Sequence, residues 1–568
     1  MRNIFFLILS CFCLLSVHAQ NETSKDHISL AGIWNFKLDP LNISIPVKGS
    51  NFVSRFPEEI TLPGSTDQAG KGFKTQDMSS LRLTRMFEYS GAAWYEKENI
   101  FIPESWKDQL LFLFLERVHW ESQVWINGKF VGKEESLSTP HLYDITSYVK
   151  FGDWNTVRIR VDNGNIHDIA YTHAISAETQ TNWNGIIGRM EIQAVSKVHI
   201  TDVQIYPLQK EKRLKIVAQI ANHSNLPVKG DIRIRCHFLN DSQLLHLNEK
   251  NTTFNSSDSL IHLVHYYDLG DKLYTWDEFE PNLYEIDYEI KCCGKSDVQK
   301  IKFGIRDFGT KGTHFTINDI PTFIRGAVNS CEFPITGYPP MSYEEWKKVM
   351  KVYKDYGFNC IRFHSWCPPE SAFQVADELG LYLQVENSDW RFTVGEDEAT
   401  NAFYLDEVQR IFKEYGNHPS FAFFCEGNEL VGKDCVDFLK EMLTEWKKDS
   451  RHLYVAASGY PTVEGSDFFD FYGARPQRWQ EGLKGRFNSQ PLNTRYDYID
   501  YVKKFSIPMV THEIGQWCAY PDFNQISKYI GVLKPYNYEL FREDLRNKKM
   551  LDQAHDFHIA SGKFQVLQ

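Results

Sequence analysis

The sequence lacks the features that define several classes of protein. Its formal net charge is −12, and no cluster of Lys and Arg marks a surface for nucleic acid. No tract is of low complexity, and no second long apolar run follows the N-terminal one, so no membrane-spanning helix is predicted. The 568 residues have a globular composition, 42% hydrophobic and 24% charged, and this length predicts three or four domains.

Cysteine is present but does not form a recognisable framework. Two of the 11 cysteines lie in the N-terminal apolar run, and the other nine have no regular spacing. An odd number of irregularly spaced cysteines in a large chain predicts that most are buried thiols, and one incidental disulfide is an alternative that stays open. Because no CxxC pair or His/Cys cluster occurs, neither a metal site nor a cofactor is predicted.

The N-terminus has the pattern of a secretory signal peptide. Arg2 precedes a short apolar run over residues 4–17, and Val17-His18-Ala19 places small residues at the cleavage-site positions. We therefore predict a signal peptide over residues 1–19, cleavage near Ala19, and a secreted or periplasmic protein. Two alternatives have less support: a lipoprotein signal through Cys11 or Cys13, and a buried N-terminal helix.

Two all-β regions are predicted after the signal peptide. Residues 20–197 contain short alternating strands, and the strand ending at Ile126 leads into Asn127-Gly128, a strong hairpin signal. Residues 198–302 contain further alternating strands and have the length of a second, smaller, immunoglobulin-like β-sandwich. The predicted first half of the chain is therefore two β-sandwiches in series.

From residue 303 onward, helical and strand patterns alternate, which predicts a (β/α)8 TIM-type barrel. After a first strand near residues 322–326, the predicted helices are 342–356, 370–379, 403–415 and 433–446, and the predicted strands are 359–364, 381–385, 420–425, 453–457, 468–472 and 509–511. Only a charged helix over about residues 538–559 follows. We therefore expect the domain over 303–568 to lack the last βα unit, as if truncated at its C-terminus.

Two glutamates stand directly after predicted barrel strands. Glu429 ends the run Phe-Phe-Cys-Glu-Gly-Asn-Glu after the fourth strand, and Glu513 follows the seventh. They are about 84 residues apart, or about three βα units of roughly 30 residues each, so they would face one pocket from opposite sides. Hydrolysis of a glycosidic bond requires such a pair of carboxyl groups.

The ordered motifs of the chain resemble those of glycoside hydrolase family 2, the group of β-galactosidases, β-glucuronidases and β-mannosidases. Seven motifs carry this resemblance: Ala93-Trp94-Tyr95, residues 124–129, Asp144-Ile145-Thr146, Val161-Asp162-Asn163, residues 182–188, Phe303-Gly304-Ile305-Arg306 and Gly427-Asn428-Glu429. The resemblance implies a jelly-roll sugar-binding domain, an immunoglobulin-like domain and a barrel. It also implies a retaining mechanism with Glu429 as the acid/base and Glu513 as the nucleophile.

The resemblance further implies the surroundings of the two glutamates. Asn428 would hold the 2-hydroxyl of the sugar, Arg362 and His364 would line the pocket, and Tyr472 would donate a hydrogen bond to the nucleophile. From their places near strand ends, Trp390 and Trp517 are candidate sugar-facing aromatics, and Glu386 is a candidate pocket wall or a partner of a pocket residue. All are predicted substrate-binding residues.

The sequence departs from the family pattern at Glu426, which stands where an aliphatic residue is usual. This carboxylate is expected either to perturb Glu429 or to contact another part of the substrate. The sequence after Glu513 also differs from the best-known members. These departures leave the substrate open. Because β-galactosidase is the commonest activity of this motif pattern, we favour a β-galactosidase acting on terminal sugars of oligosaccharides or polysaccharides, with β-glucuronides and β-mannosides as alternatives, and the oligomeric state stays open.

Two other classes of function compete with a glycosidase. A non-hydrolytic carbohydrate-binding protein, or an inactive fragment of a β-glycosidase, would follow from an incomplete barrel. A protein-binding array of sandwiches has little support, because it leaves the Gly427-Asn428-Glu429 motif without a purpose.

Overall fold

The protein is described from a computed structural model. The structure describes residues 26–43, 56–75, 78–239, 245–246, 248–271, 273–472, 485, 489–491, 493–495, 497–515 and 518–567. The predicted signal peptide of residues 1–19 and the candidate residue Trp517 lie outside the described residues.

The first region is a sandwich of two antiparallel sheets. Its strands are β1 (Asp26–Ser29), β2 (Gly32–Asp39), β3 (Glu58–Leu62), β4 (Gly64–Ser65), β5 (Phe73–Lys74), β6 (Thr84–Arg85), β7 (Phe87–Glu88), β8 (Ala92–Ile102), β9 (Leu110–Val118), β10 (Glu121–Ile126), β11 (Lys129–Glu135), β12 (His141–Asp144), β13 (Asp153–Asp162) and β14 (Gly185–Val195). One sheet has the order β1-β14-β9-β12, and the other has β11-β10-β13-β8-β2-β3.

The alternation of residues in these strands explains the sandwich. In β13, Val157, Ile159 and Val161 point into the core, while Arg158 lies on the other face and pairs with Glu96. The predicted hairpin is confirmed between β10 and β11, where Asn127 and Gly128 both take positive φ angles of 51° and 79°.

The second region is a smaller sandwich. Its strands are β15 (Val198–Leu208), β16 (Arg213–Asn222), β17 (Val228–Phe238), β18 (Leu245–His246), β19 (Lys250–Ser256), β20 (Leu260–Asp268), β21 (Tyr284–Cys292) and β22 (Lys295–Phe303). The sheets β15-β16-β20 and β18-β17-β21-β22 share one apolar core that includes Ile216, Ile234 and Ile286.

The third region begins with a small antiparallel sheet and continues with alternating helices and parallel strands. Its elements are β23 (Phe308–Lys311), β24 (His314–Ile317), β25 (Ile320–Thr322), β26 (Gly326–Asn329), α1 (Tyr343–Asp355), β27 (Cys360–Phe363), α2 (Glu370–Leu379), β28 (Tyr382–Asp389), α3 (Glu398–Tyr415), β29 (Phe421–Gly427), α4 (Cys435–Trp446), β30 (Leu453–Tyr454), β31 (Ser458–Gly459), β32 (Phe469–Phe471), α5 (Ile499–Val502), β33 (Met509–Thr511), β34 (Leu533–Lys534), α6 (Tyr536–Asn547) and α7 (Ala554–Leu567).

Local signals set several of these boundaries. The Ser342 hydroxyl accepts from the backbone N–H of Glu345 and caps α1 at its N-terminus. Gly380 ends α2 with a φ of 67°, a conformation that glycine adopts without steric cost. The predicted helix over 538–559 is instead two helices, α6 and α7, with Lys549 at a φ of 57° between them.

The parallel strands form two sheets, and neither the barrel predicted from the sequence nor its missing last βα unit is confirmed. The orders are β26-β27-β28-β29-β30 and β31-β32-β33, and in the described part of the chain one bridge, between Asn428 and Ser458, joins the two sheets. The predicted fifth strand is interrupted, because Leu453 and Tyr454 pair with β29 whereas Ser458 and Gly459 pair with β32. Among the described residues, no ladder joins β33 to β26.

The last part of the chain returns to the first sandwich. Leu533 of β34 pairs with Arg85 of β6 in a short antiparallel ladder.

Within the described ranges, no helix has both the length and the apolar character needed to cross a membrane.

Candidate active site

The candidate site lies where four parallel strands end. Arg362 and His364 come from the end of β27, Glu386 from β28, Asn428 and Glu429 from the end of β29, and His512 and Glu513 directly follow β33. Because parallel neighbours have the same direction, the side chains at their carboxyl ends meet at one edge. The structure thereby brings together residues that are up to 151 positions apart in the chain.

Both candidate catalytic carboxylates have an unusual backbone conformation. Glu429 has a φ of 46° and Glu513 a φ of 49°, both in the left-handed region that non-glycine residues rarely adopt. Hydrogen bonds hold these turns: Glu429 donates its N–H to Ser458 at 2.8 Å, and His512 donates its N–H to Phe471 at 3.0 Å. Such conformations persist where the surrounding structure imposes them, and they cluster at functional sites.

His512 lies between the two carboxylates. Its Nε2 is 3.3 Å from Oε1 of Glu513 and 3.7 Å from Oε1 of Glu429. The two oxygens are therefore at most about 7 Å apart, a limit that admits the roughly 5–5.5 Å spacing of retaining glycosidases and excludes most of the wider inverting range. His512 is buried, so it is held in this position by the protein.

Arg362 connects three of the predicted residues. Its guanidinium donates to Glu386 at 2.5 Å, to Asn428 at 2.7 Å and to Glu513 at 3.2 Å. Although burial opposes its charge, the carboxylates around it raise the pKa of Arg362 above its usual value. Glu386 is fully buried and also accepts the backbone N–H of Ser365 at 2.6 Å, so in this structure it acts as a partner of Arg362.

The surroundings of Glu513 keep its carboxylate ionised. Burial alone would raise its pKa, but the hydrogen bond from His364 and the positive charges of His512 and Arg362 outweigh burial and hold the pKa far below its usual range. The Nε2 of His364 lies 3.1 Å from Glu513 Oε1. An ionised carboxylate with limited exposure is the form that a nucleophile requires.

Sequence reasoning missed Asp470 and Ser458, which contact the Nδ1 atom of His512. Nδ1 of His512 is 3.4 Å from Asp470 and 3.2 Å from the Ser458 hydroxyl, which itself donates to Asp470. Burial opposes ionisation of Asp470, but His512, Arg362 and Ser458 lower its pKa to about 2. The position of Asp470 in the middle of the sixth predicted strand was the signal in the sequence that could have identified it.

The remaining predicted residues lie around this core. The Trp390 ring is 4.8 Å from that of His364. The Tyr472 ring is 5.7 Å from that of Tyr460 and 5.2 Å from that of Phe471. A hydrogen bond from Tyr472 to Glu513 stays a prediction, as does any contact of Trp517.

Glu426 does not lie in the candidate pocket. It is fully buried and accepts from Asn387 at 3.3 Å. Burial and the neighbouring Asp389 raise its pKa well above the usual value, against the opposing charge of Arg391. The expectation of a substrate contact at Glu426 is therefore corrected: its side chain belongs to a buried polar cluster with Asp389 and Arg391.

In the described part of the chain, no group of three or more His, Cys, Asp or Glu side chains is arranged to hold a metal ion. The site is thus made of paired carboxylates, histidines, an arginine and an amide, on the edge of parallel strands that follow two β-sandwiches. This arrangement defines a multidomain, mostly β protein of the glycosidase type.

Comparison with known families agrees with this class. Residues 28–189 match the sequence model of the glycosyl hydrolases family 2 sugar binding domain, and residues 198–306 match a further model of glycosyl hydrolases family 2. These two regions of the chain are therefore domains of glycoside hydrolase family 2.

Individual relatives are distant. The chain is 26% identical to a β-galactosidase of Priestia megaterium over 377 residues, which cover 62% of this chain and 35% of the relative. It is 24% identical to a β-galactosidase of Streptococcus thermophilus over 424 residues, which cover 66% of this chain and 38% of the relative. The chain therefore spans little more than a third of the length of these two relatives.

A solved structure has a similar fold. The crystal structure of a Bacteroides uniformis β-glucuronidase superposes with a TM-score of 0.69 at 17% identity, covering 88% of this chain and 60% of that one. At this level of sequence identity, the similarity shows a shared fold and nothing further.

Proposed function

We propose that the protein is a retaining exo-β-glycosidase that removes terminal β-linked sugars from oligosaccharides or polysaccharides, with Glu513 as nucleophile and Glu429 as acid/base. The observation that carries this proposal is that both carboxylates lie within 3.7 Å of Nε2 of the buried His512, so that their oxygens are at most about 7 Å apart. The low pKa of Glu513 supports its assignment as the ionised member of the pair.

The proposed reaction has two displacements. First, the Glu513 carboxylate attacks the anomeric carbon, the bond to the leaving oxygen breaks, and Glu429 gives its proton to that oxygen, which leaves a glycosyl ester on Glu513. Second, Glu429 takes a proton from water, the resulting hydroxide oxygen bonds to the anomeric carbon, and the Glu513 carboxylate is released. Two inversions give retention of configuration.

The other residues have proposed roles that follow from their contacts. Arg362 orients Glu513 and Asn428, and its charge is balanced by Glu386. His364 hydrogen-bonds to Glu513 and packs against Trp390, which we assign as a sugar-facing aromatic residue. Tyr472 and Trp517 are further proposed substrate contacts.

The substrate and the organisation of the whole protein belong to the same proposal. We favour a β-galactoside, with a β-glucuronide or a β-mannoside as alternatives, and no cofactor. We propose a signal peptide over residues 1–19, a jelly-roll domain over 20–197, an immunoglobulin-like domain over 198–302 and a barrel-type catalytic domain over 303–568, in a secreted or periplasmic protein.

One observation favours a second candidate function. The eight parallel strands lie in two sheets, which among the described residues are joined by one bridge, Asn428–Ser458, and this geometry suits a chain that binds a glycan without hydrolysing it. A panel of aryl β-galactosides, β-glucuronides and β-mannosides separates the two candidates. The enzyme proposal expects turnover of at least one member that is lost in Glu513→Gln, and it is overturned if a folded chain hydrolyses none of them.

A further inference from the structure

A loop of the first sandwich reaches the candidate catalytic residues. The loop over residues 163–184 connects β13 and β14, and its backbone is fixed to the segment after β27: the Thr172 hydroxyl donates to the Ser365 carbonyl at 2.6 Å, and the His173 N–H donates to the Ser365 hydroxyl at 2.9 Å. The loop also forms a bridge from Ala170 to Trp390. The position of the loop is therefore set by contacts at Ala170, at Thr172 and at His173 itself.

The His173 ring stands against the His364 ring. Their Nδ1 atoms are 3.1 Å apart, a hydrogen-bond distance, and the ring centroids are 4.4 Å apart. The other face of His173 stacks on Trp390 at 5.8 Å with an interplanar angle of 20°. Two nitrogens at this distance must share one proton, because two lone pairs or two N–H groups would repel each other.

The opposite end of His364 is already committed to Glu513. An ionised carboxylate only accepts hydrogen bonds, so His364 Nε2, at 3.1 Å from Glu513 Oε1, must carry a proton. A rotation of the ring by 180° would put a carbon at both of these contacts. The contacts at Nδ1, from His173 at 3.1 Å and from the Ser365 hydroxyl at 3.2 Å, therefore select the ring orientation in which Nε2–H points at Glu513.

We propose that His173 is a positioning residue: it holds the His364 ring so that Nε2–H stays directed at Glu513. This inference rests on the proposed function for its effect on catalysis but not for its effect on the ring. Burial, with the nearby charges of His364 and Arg362, keeps the pKa of His173 well below its usual value, so His173 is the neutral partner of the pair. The first sandwich thereby completes the site that the parallel strands build.

Three variants at one position test the inference. In His173→Asn the amide reaches the place of Nδ1 and can donate or accept there, whereas the longer side chain of His173→Gln matches the place of Nε2, and His173→Ala offers no partner. We expect kcat to fall about tenfold to a hundredfold in the Ala and Gln variants with KM little changed, by analogy with the range found when the partner that orients a metal-bound histidine is removed. We expect the Asn variant to stay within about threefold of the unaltered protein.

A second readout is independent of turnover. In protein labelled with ¹⁵N-histidine, the His364 Nε2–H signal is expected to be protected from solvent exchange in the unaltered protein and in the Asn variant, and to be lost in the Ala variant at an unchanged melting temperature. If the unaltered protein hydrolyses no glycoside, the proposed function fails while this signal still decides the role of His173. Equal protection of the signal in all the variants would overturn the inference.

Discussion

Arg362 fixes the orientation of the Asn428 amide. Its Nη2 donates to Asn428 Oδ1 at 2.7 Å across the strands β27 and β29. Because a guanidinium only donates, the amide oxygen must face Arg362, and the NH₂ group is left as the donor on the other side. The orientation suits the predicted role of Asn428, since an NH₂ group can donate to the 2-hydroxyl of a sugar.

Replacement of Asn428 is expected to weaken the stabilisation of the transition state and so to slow the reaction. We expect Asn428→Ala to lower kcat/KM by about a hundredfold, because contacts to the 2-hydroxyl contribute several kcal/mol there and about 1.4 kcal/mol corresponds to a factor of ten. The measurement is kcat/KM on a glycoside that the unaltered protein hydrolyses and on its 2-deoxy counterpart.

The 2-deoxy substrate is the control for this prediction. If Asn428 acts through the 2-hydroxyl, the variant and the unaltered protein should hydrolyse the 2-deoxy glycoside at nearly equal rates. An equally large loss on both substrates would assign Asn428 to folding of the site instead.

His364 is expected to set the acid side of the pH profile. Its hydrogen bond is the largest of the contributions that lower the pKa of Glu513. Activity that needs ionised Glu513 is present above this pKa and is lost as the pH falls through it. His364→Leu raises the pKa, so the acidic limb of kcat/KM should move to higher pH, by about one to two units for a lost charged hydrogen bond.

His364→Gln provides the matched comparison, because its amide nitrogen can still donate near the place of Nε2. Its acidic limb is expected between those of the unaltered protein and the Leu variant. The profiles are measured from pH 6 down to the lowest pH at which circular dichroism shows the fold intact. An acidic limb that does not move in the Leu variant contradicts this account of Glu513.

Asp470 is expected to contribute stability that disappears in acid. The pKa of Asp470 is lowered to about 2 from its ordinary value, so its contribution is complete above about pH 4 and is lost as the pH falls towards 2. We expect Asp470→Asn to lower the free energy of unfolding at pH 7 by about 2–3 kcal/mol. In urea unfolding, the difference in free energy of unfolding between the unaltered protein and Asp470→Asn should be smaller at pH 3 than at pH 7. An equal difference at both pH values would contradict the ionised state assigned to Asp470.

The effect of Glu426 on stability is expected to depend on pH in the opposite direction to that of Asp470. Its raised pKa means that the folded state prefers the protonated acid, so the chain loses stability as the pH rises from the ordinary pKa of a glutamate towards the raised one. Glu426→Gln keeps the shape and stays neutral. We expect the variant to match the unaltered protein near pH 4 and to be more stable at pH 7, as measured by urea unfolding at both values.

The sequence was sufficient to predict the strands that carry the site. Glu429 and Glu513 each follow a short apolar run, and the structure places both at the ends of parallel strands, β29 and β33. Glu386 was also predicted from its place at a strand end, because a polar residue next to a buried strand is conspicuous, whereas Arg362 was implied by the resemblance to the family.

Contacts between distant parts of the chain could not be predicted in this way. His173 reaches His364 only because the first sandwich packs against the parallel strands, and no local pattern encodes that packing. The division of the predicted fifth strand at residues 455–457 depends on which neighbours Leu453 and Ser458 pair with. Such pairing is decided by tertiary structure rather than by the propensity of a short apolar run.

The stereochemistry of azide rescue tests the central claim most directly. In Glu513→Gly, added azide should attack the anomeric carbon from the vacated side and give a glycosyl azide of inverted configuration, whereas in Glu429→Ala it should attack the ester on Glu513 and give a glycosyl azide of retained configuration. NMR of the anomeric proton in each product gives the answer. A retained product from Glu513→Gly, or full residual activity in that variant, would contradict the assignment of Glu513 as the nucleophile.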